Sequence, residues 1–109
     1  MSYTQASLNL SNEELKIVKD ILNKYISNKT VLAFGSRVTG HAKKFSDLDL
    51  VIFDEESLNF ETYVNLKNDF DDSDLPMKVD LVEWSNLSET FKQIILKHFI
   101  PVQGLSKVG

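Results

Sequence analysis

The chain is expected to fold as a small α/β (α+β) domain, a three-stranded sheet covered by helices. Three observations predict this: apolar, β-branched runs at 30–34, 48–53 and 77–84; helical apolar spacing before, between and after them; and turn formers at the junctions. At 109 residues there is room for a single domain, 1–109, with a modest core and no separate substrate domain.

Residues 11–27 read as the first helix. Ser11 and Glu14 have the spacing of a capping box, and Leu10 and Leu15 stand where a hydrophobic staple places them. Leu15, Val18, Leu22 and Tyr25 recur at helical spacing, and Ile21 and Ile26 widen the stripe. The first strand, 30–34, ends at Gly35, and 36–46 reads as turns with one short helical turn. The second strand, 48–53, is apolar except for Asp49. A second helix covers 59–70, with Phe60, Tyr63, Val64 and Phe70 on or near one face. Pro76 keeps 71–76 in a loop. After the third strand, Asn86 is expected to cap a last helix carrying Leu87, Phe91, Ile94, Ile95 and His98, which Pro101 ends. The tail, 102–109, is expected to fray.

Apolar content of 42% and charged content of 26% are ordinary for a water-soluble chain, and no run approaches the ~18 apolar residues of a membrane span. No signal pattern opens the chain, which points to the cytoplasm. Without cysteine there is neither a disulfide nor thiolate chemistry. Twelve basic against sixteen acidic residues give a net charge of −4, which argues against a duplex track and hence against nucleic acid as direct substrate. Arg37, His41, Lys43 and Lys44 form a local basic stretch, and Asp69, Asp71, Asp72 and Asp74 an acidic one that reads as a solvated loop or a partner-binding edge.

The chemistry concentrates in three places: Gly35-Ser36-Arg37, Asp47-Leu48-Asp49 ten residues later, and Asp80 in the third strand. Carboxylates among apolar residues are costly unless something compensates them. Residues two apart in a strand point to one side, about 6.6 Å apart, so Asp47 and Asp49 can converge on one cation. Asp80 on an adjacent strand would complete a set of three. Oxygen-only ligands favour a hard ion such as Mg²⁺ with phosphate oxygens, and two such ions about 3.5–4 Å apart would clamp a phosphoryl displacement. Asp80 would then help deprotonate a hydroxyl nucleophile. Glycine at 35 lets a phosphate approach the backbone, Ser36 can hold it, and Arg37 can add a positive fork. Singly, each item has a plainer reading: a common turn, a strand-end cap, an acid satisfied by Lys78. Jointly they are far more specific. His98 reads as a core or partner-facing residue, His41 as exposed, and Trp84 as core.

Gly35-Ser36, ten residues, Asp47-x-Asp49, then Asp80 resembles the nucleotidyltransferase superfamily that includes DNA polymerase β. The text GSRVTGHAKKFSDLDLVIF resembles its minimal branch, the MNT domain proteins. That resemblance implies a nucleotidyltransferase fold with a small mixed sheet, ATP as substrate with two Mg²⁺, and AMP transfer to a hydroxyl. It implies Asp47 and Asp49 as ligands of both metals, Asp80 as ligand of the metal that activates the nucleophile, and Gly35, Ser36 and Arg37 at the triphosphate. It further implies a helical HEPN ribonuclease toxin as partner, with a tyrosine as acceptor and this chain as antitoxin. Transfer to a small molecule such as an aminoglycoside, and neutralisation of the partner by binding alone, are the alternative expectations.

Overall fold

The computed structural model describes residues 8–104. The chain runs through α1 (Asn12–Ile26), β1 (Thr30–Phe34), α2 (Ser36–Thr39), β2 (Leu48–Phe53), α3 (Phe60–Asp71), β3 (Val79–Glu83), a 3₁₀ turn (Trp84–Asn86), α4 (Glu89–Lys97) and β4 (Ile100–Gln103). The sheet has the order β3-β2-β1-β4. β1 pairs antiparallel with β2 and β4, and β2 pairs parallel with β3. The α3 crossover supplies the connection that a parallel pair requires.

Local chemistry explains the helix ends. Ser11 Oγ accepts from Glu14 N at 3.0 Å while the Glu14 carboxylate accepts from Ser11 N at 2.9 Å, closing the expected capping box. Asn59 caps α3 through Thr62 N. The last helix starts later than expected. Ser88, not Asn86, is its cap, accepting from Phe91 N at 3.1 Å, because Trp84–Asn86 first turns as 3₁₀.

Alternation along the strands splits the core in two. Val31, Ala33, Leu48, Leu50, Ile52, Val79 and Leu81 face α1 and α3, meeting Val18, Leu22, Ile26, Leu66 and Phe70. Leu32, Phe34 and Val51 face the other way, toward Trp84, Phe91 and Ile95.

Several expectations need correction. The sheet has a fourth strand, Ile100–Gln103, which takes in Val102 and Gln103 of the tail expected to fray. Its edge position tolerates Pro101, which lacks an N–H. Gln103 Nε2 donates to Ile26 O at 2.8 Å and Lys29 O at 2.9 Å, anchoring the strand to the open carbonyls after α1. Residues 105–109 of the tail, and 1–7 of the segment read for a signal, lie outside the described residues. Phe60 is 81% exposed rather than on the packed face of α3. Asp69 and Asp71 belong to α3, and Asp69 accepts from the Tyr25 hydroxyl at 2.9 Å and Lys24 at 3.2 Å. Among the described residues, no helix is long and apolar enough to cross a membrane.

Candidate active site

Strand register brings the acidic positions together. Asp49 is the register partner of Phe34 on one side and of Asp80 on the other. Opposed residues share a face, so both carboxylates lie on the α4 side of the sheet, on strands about 4.8 Å apart. Asp47 stands just before β2, near enough for its charge to act on Asp49. Leu48 and Leu50, between and after them, are fully buried on the opposite side. Asp47 and Asp80 are exposed and Asp49 is partly buried.

This placement has an electrostatic cost. Burial, then the charges of Asp80 and Asp47, push the Asp49 carboxyl up to about 6. Among the described residues, none of the three carboxylates forms an ion pair with lysine or arginine; the suggested Lys78–Asp80 pair does not form. Nor is any group of three His, Cys, Asp or Glu side chains gathered tightly enough, among those residues, to hold an ion as they stand. The trio is therefore a shared negative field on one face, centred on the half-desolvated Asp49.

Gly35 closes this site from the β1 side. It has φ +80° and ψ −157°, and a Cβ built there would run into the Asp49 carboxylate. Glycine is thus required twice, for the backbone conformation and for the space. α2 begins directly at Ser36; Val38 N and Thr39 N donate to Gly35 O, which leaves the Ser36 and Arg37 N–H groups without a backbone partner among the described residues. The Gly-Ser turn and the central carboxylate are consequently in contact, as the joint reading of the motifs required.

Arg37 has a different task from the phosphate fork expected of it. The side chain is buried, 4% exposed. Its Nε donates to Ser46 O at 2.9 Å, Nη1 to Asn9 O at 2.9 Å, and Nη2 to Lys44 O at 2.9 Å and Lys43 O at 3.4 Å. The guanidinium clamps the 41–47 loop to the segment before α1, and so fixes where Asp47 emerges. An arginine followed by a loop of small and basic residues does not disclose this from sequence, because its acceptors are backbone carbonyls.

A cavity of about 470 Å³ opens beside the carboxylates. Gly35, Thr39, Asp49 and Asp80 line one part of it; Val82, Phe91, Ile94 and Ile95 line another, with His98 also on the lining. The sequence reading placed these α4 residues on an apolar helical stripe, facing the sheet or a partner, and His98 as a core or partner-facing group. His98 is exposed at the C-cap of α4, which removes the core half of that reading. The one available signal was Val82, which follows Asp80 by two and must share its face.

Comparison with known proteins follows this geometry. The family model described as Polymerase beta, Nucleotidyltransferase matches residues 16–103. A protein of Haemophilus influenzae, named probable protein adenylyltransferase MntA, is 50% identical over 102 residues, which cover 94% of this chain and 90% of that protein. Among solved structures, a chain of a toxin-antitoxin complex with AMP-PNP superposes with a TM-score of 0.70 at 21% identity, over 85% of this chain and 75% of the other. A chain of the tri-AMPylated Shewanella oneidensis HEPN toxin in complex with MNT antitoxin gives 0.56 at 18% identity, over 85% and 71%. At such identities the structural likeness speaks for the fold.

Proposed function

The chain belongs to the polymerase β-type nucleotidyltransferase family, and from that premise we propose that it moves AMP from ATP to a tyrosine hydroxyl of a HEPN ribonuclease toxin, as that toxin's antitoxin. The observation that carries the reading is the contact of the Gly35 turn with Asp49, itself registered opposite Asp80. A triphosphate site, a cation site and a base for the acceptor then fall on one face. The relative from Haemophilus influenzae supports protein adenylylation, since its likeness spans nearly the whole of both chains. A cytoplasmic setting, where ATP is supplied, fits the same reading.

The donor set suits Mg²⁺, being oxygen-only, with its central carboxyl held up by burial and then by the charges of Asp80 and Asp47. Asp47 and Asp49 would hold two ions, and Asp80 would share the one on the acceptor side. Bound there, Mg²⁺ supplies positive charge that offsets the carboxylates and the phosphate oxygens.

The chain's own groups do the rest. The Ser36 hydroxyl and the first N–H groups of α2 hold the triphosphate, which Gly35 lets close to the backbone. Asp80 accepts the proton of the acceptor hydroxyl. The acceptor oxygen bonds to the α-phosphorus, the bond from that phosphorus to the bridging oxygen breaks, and pyrophosphate leaves with the electron pair. Arg37 acts at one remove, by setting the loop that delivers Asp47.

The test mixes the protein with ATP, Mg²⁺ and the product of its neighbouring gene, and reads intact masses. A gain of one or more AMP residues on the partner, lost with Asp47→Ala and Asp49→Ala, is expected. Neutralisation of the partner that persists unchanged in those variants would contradict the proposal.

A further inference from the structure

The cavity beside Asp80 has two unlike ends. Asp49, Asp80 and Thr39 are polar, whereas Val82, Phe91, Ile94 and Ile95 offer no side-chain hydrogen-bonding group. Its volume of about 470 Å³ lies within the range of small-molecule sites, roughly 300–1,000 Å³. The apolar wall is braced: Phe91 packs edge-on against Phe34, with ring centroids 5.7 Å apart at 83°. Ile94, by contrast, is 55% exposed, although it sits on the cavity lining. Of the four exposed large apolar residues among those described, Phe45, Phe60, Ile94 and Leu96, Ile94 is the one that lines this cavity.

We infer that this cavity seats the aromatic ring of the acceptor, so that the α4 wall selects a phenolic hydroxyl over an aliphatic one. The inference rests on the function proposed above and names what determines its acceptor class. Asp80 and Val82 are two residues apart on one strand face, roughly 6.7 Å along β3. A phenol oxygen hydrogen-bonded to Asp80, at ~2.6 Å, puts the far carbon of its ring about that far from the carboxylate. A phenol whose oxygen meets Asp80 therefore lays its ring against Val82, Phe91 and Ile94. A serine or threonine hydroxyl reaching Asp80 leaves that wall wet. A purine would find only the His98 ring to pair with along that wall, and its remaining ring nitrogens would be left unpaired there. The triphosphate, moreover, is assigned to the Gly35-Ser36 side of the carboxylates.

Methyl-resolved NMR of the full chain tests this without turnover. Titration with p-cresol, the tyrosine side chain itself, is expected to shift the Ile94, Ile95 and Val82 methyls saturably, with or without AMP-PNP present. Isopropanol at equal concentration is expected to leave them in place. Ile94→Glu, on an exposed site that the fold tolerates, should weaken p-cresol by about tenfold or more, since it sets a charge in the apolar wall. AMP-PNP affinity should stay within about twofold, because that wall lies away from the phosphates. The inference is overturned if p-cresol moves none of these methyls, if isopropanol moves them equally, or if AMP-PNP displaces p-cresol from them. That last result would make the cavity a base pocket. Failure of AMP transfer in the mass assay would instead strike the proposed function, and the two failures are distinguishable because p-cresol binding needs no catalysis.

Discussion

The two faces of the sheet are made by the same strands, yet they are finished differently. On the α1/α3 side, two helices close over Leu48, Leu50, Ile52 and Val79, and the strand residues are fully buried. On the other side the nine-residue α4 covers Leu32, Phe34 and Val51 and stops short of Asp47, Asp49 and Asp80. Stability is concentrated on the first face, and the second is left partly open so that charge and a cavity can stand next to each other. Adjacent residues in β2 therefore have opposite duties: Leu48 and Leu50 hold the domain together, while Asp49 strains it.

Substitutions that treat the faces separately sharpen this contrast. The largest effect is expected from Asp47→Ala with Asp49→Ala, a loss of nucleotidyl transfer of about 10³-fold or more with the fold retained, measured as the AMP-transfer rate beside a circular dichroism melt. Leu50→Ala, next in the same strand, should cost about 2–5 kcal/mol of unfolding free energy in urea, as a cavity in a closed core does. Arg37→Leu should cost about 2–3 kcal/mol by the same measurement, because it orphans carbonyls of the 41–47 loop, and should lower activity by misplacing Asp47.

Smaller effects follow from the Asp49 carboxyl, which its surroundings push up to about 6. Between the ordinary carboxylate range and that value, the folded chain binds more protons than the unfolded one. Stability from this group is thus fully present in acid and lost as pH rises through about 6. Asp49→Asn should remove that slope and raise the melting temperature at neutral pH, even as it removes activity. In the nucleotide-free protein, Mg²⁺ affinity measured by calorimetric titration should weaken as pH falls below about 6, where Asp49 takes up a proton that competes with the ion. The smallest effect is expected from Ile94→Ser, within about 0.5 kcal/mol of native stability, because the residue is already half in water.

Legibility in the sequence divided along similar lines. The α1 capping box, the apolar stripe of α1 and the apolar run of β2 broken only at Asp49 are local patterns, and the structure contains them as read. The pairing of Asp49 with Asp80 was legible because it needs only the common neighbour relation of β2 and β3, whereas Asp47 stands just before the strand and outside its register. What was not legible depends on distant partners. β4 exists because Gln103 reaches the carbonyls of Ile26 and Lys29, more than seventy residues away. Arg37 was assigned to phosphate because an arginine after a Gly-Ser turn gives no sign that four backbone carbonyls surround it. The start of α4 moved because Ser88 and Asn86 are both good caps, and the 3₁₀ turn at Trp84 decided between them. Ile94 was indistinguishable from a core residue by spacing alone.

The central claim is that one sheet face gathers Mg²⁺ around Asp47, Asp49 and Asp80 with a triphosphate on the Gly35-Ser36 bend. A crystal structure of the protein with AMP-PNP and Mg²⁺ addresses it most directly. The account predicts ions held by Asp47 and Asp49, Asp80 turned toward them, and phosphate oxygens against the Ser36 hydroxyl and the α2 amides. Nucleotide bound elsewhere, with those carboxylates free of metal and Asp80 directed into solvent, would contradict it.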